Sequence, residues 1–151
     1  MAVCWPATHF EYQLRACIGA SESGTSSVRV ATCQLAGGDQ QAEVAVKVVD
    51  LEKRSLVQLQ QEVMRMSQLS NRNLAPLHAA FVSRGELWLV MQYHAAGSCC
   101  DVMRYAHRHG LEEDVVLTIL REVAFGLDYL HRNGTIHRHL KSSNILIDAK
   151  V

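Results

Sequence analysis

The chain has no apolar run near the ~18 residues that a helix needs to cross a bilayer. Its first ten residues, MAVCWPATHF, hold neither a charged n-region nor an apolar h-region. Both absences argue against membrane insertion and secretion and set a soluble, cytoplasmic protein as the expectation. Charge of one sign is also missing, because fifteen basic residues balance fifteen acidic ones. That excludes nucleic acid and anionic membrane as main partners, since both select a basic surface. No C-x-x-C pair occurs among the five cysteines, Cys4, Cys17, Cys33, Cys99 and Cys100. An odd count with two adjacent members excludes a disulfide framework and predicts reduced thiols. The pairs His107/His109 and His137/His139 lack the acidic or cysteine neighbours that complete a zinc site. Internal repeats and low-complexity tracts are absent too.

What is present is an ordinary globular composition, 48% hydrophobic over 151 residues, enough for one domain or a piece of one. Residues 10–50 read as strands: FEYQLRACIG alternates loosely, SVRVATCQL alternates well and AEVAVKVVD is a β-branched run. The small polar stretch ASESGTSS is a loop between the first two, and AGGDQQ is a hairpin turn between the last two. The period then changes. Leu56, Leu59, Val63, Met66 and Leu69 mark one face of a helix over 51–70. APLHAAFVSRGELWLVMQY predicts two strands turning at Arg84-Gly85. Ser98 and Asp101 match a capping box for a helix that Gly110 could stop. Val116, Leu120, Val123, Leu127 and Leu130 form the stripe of a last long helix, with Gly134 just past its end. Strands with one helix followed by helices predict a two-lobed α+β protein, not alternating βαβ units.

Four signals occur in a fixed order: the glycine-containing turn IGASESG, VAVK ending at Lys47 on the third strand, Glu62 on the next helix, and IHRHLKSSN after the long helix. As a set they resemble the N-terminal half of a protein kinase domain, from about Phe10 to Val151. ELWLVMQYHAAGS, ILREVAFGLDYLHRNGTIHR and LKSSNILI are most similar to the germinal-centre-kinase branch of serine/threonine kinases, and within it to the oxidative-stress-responsive kinases and their plant and algal counterparts.

The resemblance implies a five-stranded antiparallel N-lobe with one helix and a hinge over about 10–93, then the first helices of an incomplete C-lobe over 94–151. It implies transfer of the ATP γ-phosphoryl group to protein hydroxyls, with ATP and magnesium as cofactors and a protein substrate or docking partner. Ile18, Gly19, Gly24 and Val28 would lie over the nucleotide, and Ala45 and Leu146 would sandwich the adenine. Lys47 would contact the phosphates and pair with Glu62. Met91 falls at the gatekeeper position, with Gln92 and His94 offering backbone groups to the adenine edge. Arg138 would receive activation-segment phosphate, Lys141 would neutralise the transferring group, and Asn144 would bind magnesium. Plainer roles stand beside these: a solvated edge lysine for Lys47, a surface helix residue for Glu62, a core side chain for Met91, a helix cap for Asp101. His131, Arg132, His137, Arg138, His139 and Lys141 together make a basic patch.

Three departures keep several readings open. Ser21 takes the second glycine of G-x-G-x-x-G-x-V, and the valine, Val28, comes late. His139 stands at the catalytic aspartate; it brings no negative charge, and the cationic Arg138 and Lys141 oppose its taking a proton. The magnesium-binding D-F-G comes about ten residues further on in motif order, and this sequence ends at Val151. The stripe of the last helix would then lack covering, which predicts marginal stability or association. A serine/threonine kinase domain given in part, a pseudokinase that binds partners, and a non-functional shortened copy all remain open.

Overall fold

The computed structural model describes residues 4–35 and 40–148. The first four residues of the expected AGGDQQ turn, 36–39, lie outside the described residues. The chain divides into two compact units, Met1–Leu69 with Ala75–Tyr93, and Ser70–Leu74 with His94–Val151.

The first unit is built on five strands: β1 (Tyr12–Ala20), β2 (Ser26–Gln34), β3 (Gln41–Asp50), β4 (Leu77–Ser83) and β5 (Glu86–Gln92). They pair antiparallel in the order β1-β2-β3-β5-β4. Beta-branched residues suit the central strand β3, which is flanked on both sides and buries Val44, Ala45, Val46 and Val49. Because strand side chains alternate, each strand feeds two cores. Val44, Val46, Ala31, Cys33, Trp88, Val90 and Tyr12 cluster on one face, with Trp5 and Phe81 packed against them. Val49, Leu87 and Leu89 point to the other face and meet Leu59 of helix α1 (Leu56–Gln68). Each such buried side chain contributes roughly 1.5–3 kcal/mol relative to an exposed one.

The chain enters the sheet through a short 3-10 turn, His9–Glu11, so the first strand starts later than its alternation suggests. Tyr12 ties that entry down, its hydroxyl donating to the Pro6 carbonyl at 2.7 Å. The register of β1 against β2 shifts on either side of Cys17. There the Arg29 guanidinium donates to the Arg15 carbonyl at 3.0 and 2.7 Å, which satisfies backbone at the irregularity.

Helix α1 begins at Leu56, not at 51. The carboxylate of Asp50 accepts from the Glu52 amide at 2.9 Å and pairs with Lys53 at 3.0 Å, holding 51–54 in a turn that competes with helix. Of the expected stripe, Leu59 is buried and Val63 packs beside it, whereas Leu56 in the first turn is exposed.

The second unit holds helices α2 (Cys99–Tyr105) and α3 (Glu113–Arg132). The Ser98–Asp101 capping box is present in both directions. Helix α2 ends before Gly110. The Ala106 and His107 amides both close on the Val102 carbonyl at 3.0 Å, and Gly110 belongs to a separate turn with φ of 99°. Gly134, with φ of 66°, stands just past α3 as the sequence predicts. Segment 70–74 packs on α3: Gly126 faces Asn73, the Ser70 amide donates to the Tyr129 hydroxyl at 3.0 Å, and Arg72 and Asn73 bind Glu122. Leu130 is buried, but Val116, Leu117, Leu120 and Phe125 are 36–57% exposed.

Candidate functional site

Backbone pairing sets the first group of residues. Gly19 lies opposite Val28, Val28 opposite Lys47, and Lys47 opposite Leu89. Two residues along, Val30, Ala45, Met91 and Leu77 form the next row of the same parity. Lys47 and Ala45 share a face because they are two apart, and it is the α1 face, since Val49 on the same parity packs on Leu59. Lys47 is thereby aimed at the helix, with its Nζ 3.9 Å from Oε1 of Glu62. The other Glu62 oxygen lies 3.8 Å from the Arg54 guanidinium. One carboxylate thus sits between two cations, and its side chain stays partly exposed. Such an arrangement orients an ammonium without sealing it from a ligand.

Met91 is half-buried opposite Ala45, and Gln92 closes β5 opposite Val44. Ile18 lies exposed on β1. Gly24, with φ of 65°, occupies the turn between β1 and β2, where a side chain would be strained. The backbone of that turn is hydrogen-bonded to itself and to the Ser21 side chain: the Ser21 amide donates to Ser26 O at 2.9 Å, the Gly24 amide to Ser21 O at 3.0 Å, and the Thr25 and Ser26 amides to Ser21 Oγ, each at 3.0 Å.

The second group lies in the other unit. After α3 the chain runs without regular secondary structure to a short 3-10 turn at Ser142–Asn144. Arg138 adopts φ of 63°, a left-handed conformation that costs a non-glycine residue on the order of 1–3 kcal/mol and tends to occur at functional loops. The loop compensates locally. The His139 amide donates to Nδ1 of His137 at 3.3 Å, and Nδ2 of Asn144 donates to the His139 carbonyl at 2.8 Å. His139, Lys141 and Asn144 are all exposed. Beyond them Leu146 bridges antiparallel to Ser98, the Cys99 amide bonding Ile145 O at 2.8 Å and the Ile147 amide bonding Gly97 O at 2.9 Å. Gly97 in turn donates to the His94 carbonyl at 3.0 Å, so the turn carrying His94 is laced to the strand-like segment carrying Leu146. Both ring nitrogens of His94 are buried and lack a hydrogen-bond partner among the described residues.

Asp101 acts as a cap: it accepts from the Ser98 amide at 3.0 Å and hydroxyl at 2.6 Å, and these bonds hold its carboxyl below the usual range. Three features escaped sequence reasoning. Arg54 shares Glu62 although no local pattern joins them, and the Asn73–Glu122 bond depends on tertiary packing. Ser21 was visible as a missing glycine, but the bonds its hydroxyl accepts were not.

The donor set partly fits a nucleotide. A held ammonium and an apolar wall of Val28 and Ala45 suit phosphate and base, whereas the turn amides already have partners. For magnesium, Asn144 offers one side-chain oxygen, which alone makes no site.

The model of the protein tyrosine and serine/threonine kinase family matches residues 13–151. The chain is 38% identical to serine/threonine-protein kinase fray2 of Dictyostelium discoideum, across 96% of this chain and 14% of that protein. It is 34% identical to germinal center kinase 3 of Caenorhabditis elegans, across 95% of this chain and 25% of that protein. Misshapen-like kinase 1 of Rattus norvegicus is 34% identical across 68% of this chain and 8% of its own length. The chain therefore spans a quarter or less of these relatives. The resemblance to the germinal-centre-kinase branch holds, and so does the five-stranded antiparallel sheet with its one helix. With nearly all of its length matched, the chain belongs to the protein tyrosine and serine/threonine kinase family.

Proposed function

We propose that the chain is the nucleotide-binding part of a serine/threonine protein kinase domain, taking ATP as the phosphoryl donor for a protein hydroxyl. The observation that carries this is Lys47 held 3.9 Å from Glu62 on the face shared by Ala45 and Val28. A fixed ammonium supplies charge to the α- and β-phosphates, and the glutamate keeps it from folding back into solvent. Ala45 and Val28 give apolar surface for a base, with Gln92 offering backbone groups at its edge and Met91 as gatekeeper. Magnesium, which the family uses with ATP, would supply charge neutralisation at the phosphates when bound, and Asn144 is the residue here that would offer it a side-chain oxygen. Lys141 would offset charge on the transferring group.

Thermal shift with ATP, with and without magnesium, tests this reading on the chain and on Lys47→Met. The expected result is a nucleotide-dependent rise in melting temperature that the substitution abolishes. Equal shifts in both proteins would remove the claim.

His139 favours a second reading, a pseudokinase that keeps the fold and uses it to dock a partner protein. The loop is held by the left-handed Arg138 and the Asn144–His139 bond, and in a kinase reading it would present an imidazole where an anionic acceptor orients the substrate hydroxyl. His139→Asp, placed in a chain extended to the length of its relatives, decides between them. Phosphorylation of a generic substrate gained by the aspartate identifies His139 as the lesion; activity already present with His139 removes the pseudokinase reading. No helix among the described residues is long and apolar enough to cross a membrane, which is compatible with a cytoplasmic site of action.

A further inference from the structure

We infer that Ser21 governs phosphate affinity by keeping the β1–β2 turn closed on its own donors. The inference rests on the nucleotide-binding reading above. A turn over a nucleotide works through backbone N–H groups that have no better partner than phosphate oxygen. Here the amides of Ser21, Gly24, Thr25 and Ser26 each have a partner inside the turn, at 2.9–3.0 Å. Two of the four, Thr25 and Ser26, end on one atom, the Ser21 hydroxyl oxygen. Further side chains brace that oxygen: Thr25 Oγ1 lies 3.3 Å away, Ser23 Oγ donates to it at 3.4 Å, and Ser23 and Thr25 are joined at 2.9 Å.

A glycine at position 21 has no hydroxyl to offer. The Thr25 and Ser26 amides would then be donors awaiting an acceptor, and an incoming phosphate would supply it. With Ser21 present, phosphate must first displace a neutral hydroxyl acceptor from two amides. An anionic oxygen is the stronger acceptor, so the exchange is possible, but its net gain is smaller. Ser21 is therefore a positioning residue of the turn. Its effect is expected to fall on phosphate, because the donors that Ser21 occupies are backbone amides of the turn. Ser21 is not in the left-handed region, so alanine is tolerated there without backbone strain.

The test uses the 151-residue chain with Ser21→Ala and Ser21→Gly, titrated with ATP and separately with adenosine. Both substitutions are expected to tighten ATP about ten-fold, equivalent to about 1.4 kcal/mol, and to leave adenosine unchanged. Amide hydrogen exchange at Thr25 and Ser26 should quicken in both variants, a readout that does not require nucleotide. Unchanged exchange at these amides overturns the inference, and so does unchanged or weakened ATP binding. Equal tightening of adenosine also overturns it, since that would mark a general change in the fold. Failure of Ser21 alone shows as ATP binding that Lys47→Met abolishes and Ser21→Ala does not improve. Failure of the nucleotide reading shows as ATP binding indifferent to Lys47→Met.

Discussion

Lys47 and Glu62 meet between the third strand and the first helix, 3.9 Å apart, with Arg54 placing a second cation 3.8 Å from the same carboxylate. Lys47 and Glu62 each keep about a third or more of their side chains in water. Exposed pairs of this kind add only about 0–1 kcal/mol to stability, so the proposed role predicts a larger effect on nucleotide binding than on folding. Glu62→Gln is expected to change unfolding free energy by less than about 1 kcal/mol while weakening ATP binding several-fold. Urea denaturation beside nucleotide titration measures both. A large stability loss with unchanged binding would make the pair structural.

Glu122 links segment 70–74 to α3. Hydrogen bonds from Asn73 at 2.9 Å and from Arg72 hold its carboxyl down to about 2, against about 4.3 for a free glutamate. Because the folded value is depressed, its contribution is fully present above the unfolded value and is lost as pH falls from there towards 2. Stability should therefore decline across that acidic window, and Glu122→Gln should flatten the decline. Denaturant midpoints at stepped pH for both proteins give the comparison.

Leu89 is 1% exposed on the α1 face of the central sheet, packed with Val49, Leu59 and Leu87. Truncation leaves a cavity that close-packed neighbours fill only in part. Leu89→Ala is expected to lose about 2–5 kcal/mol, measured by chemical denaturation. A loss under about 1 kcal/mol would mean that the core between sheet and helix repacks freely.

Helix α3 exposes Val116, Leu117 and Leu120 within two turns. Contiguous apolar surface of this kind promotes association. The chain is expected to self-associate at micromolar concentration, and Leu117→Lys with Leu120→Lys should shift it towards monomer in sedimentation velocity. A concentration-independent monomer before substitution would refute this.

Much of the fold was legible because local rules agreed with tertiary need. The β-branched run 42–50 became the central strand, Ser98 and Asp101 formed their reciprocal cap, and Gly134 ended α3. The misses occurred where a local hydrogen bond competed with the helix pattern. Asp50 captured the Glu52 amide and delayed α1, and early closure on Val102 left Gly110 outside α2. The α3 stripe gave both the helix and the expectation that its face would lack covering; Val116 and Leu120 are exposed, and Leu130 near the helix end is buried.

Sequence alone determined the family, because residue identities at ordered spacings are chemical requirements that survive without coordinates: Lys47, Glu62, Lys141 and Asn144 in series, with His139 as the departure. Tertiary structure decided which of those identities meet. Strand register, a long-range pairing, turned Lys47 towards α1 and set Glu62 beside it with Arg54. It also decided what a missing glycine means. Ser21 reads in the sequence as a lost glycine; in the fold its hydroxyl binds two amides of the turn, because the chain reverses there and brings Thr25 and Ser26 back within 3.0 Å of it.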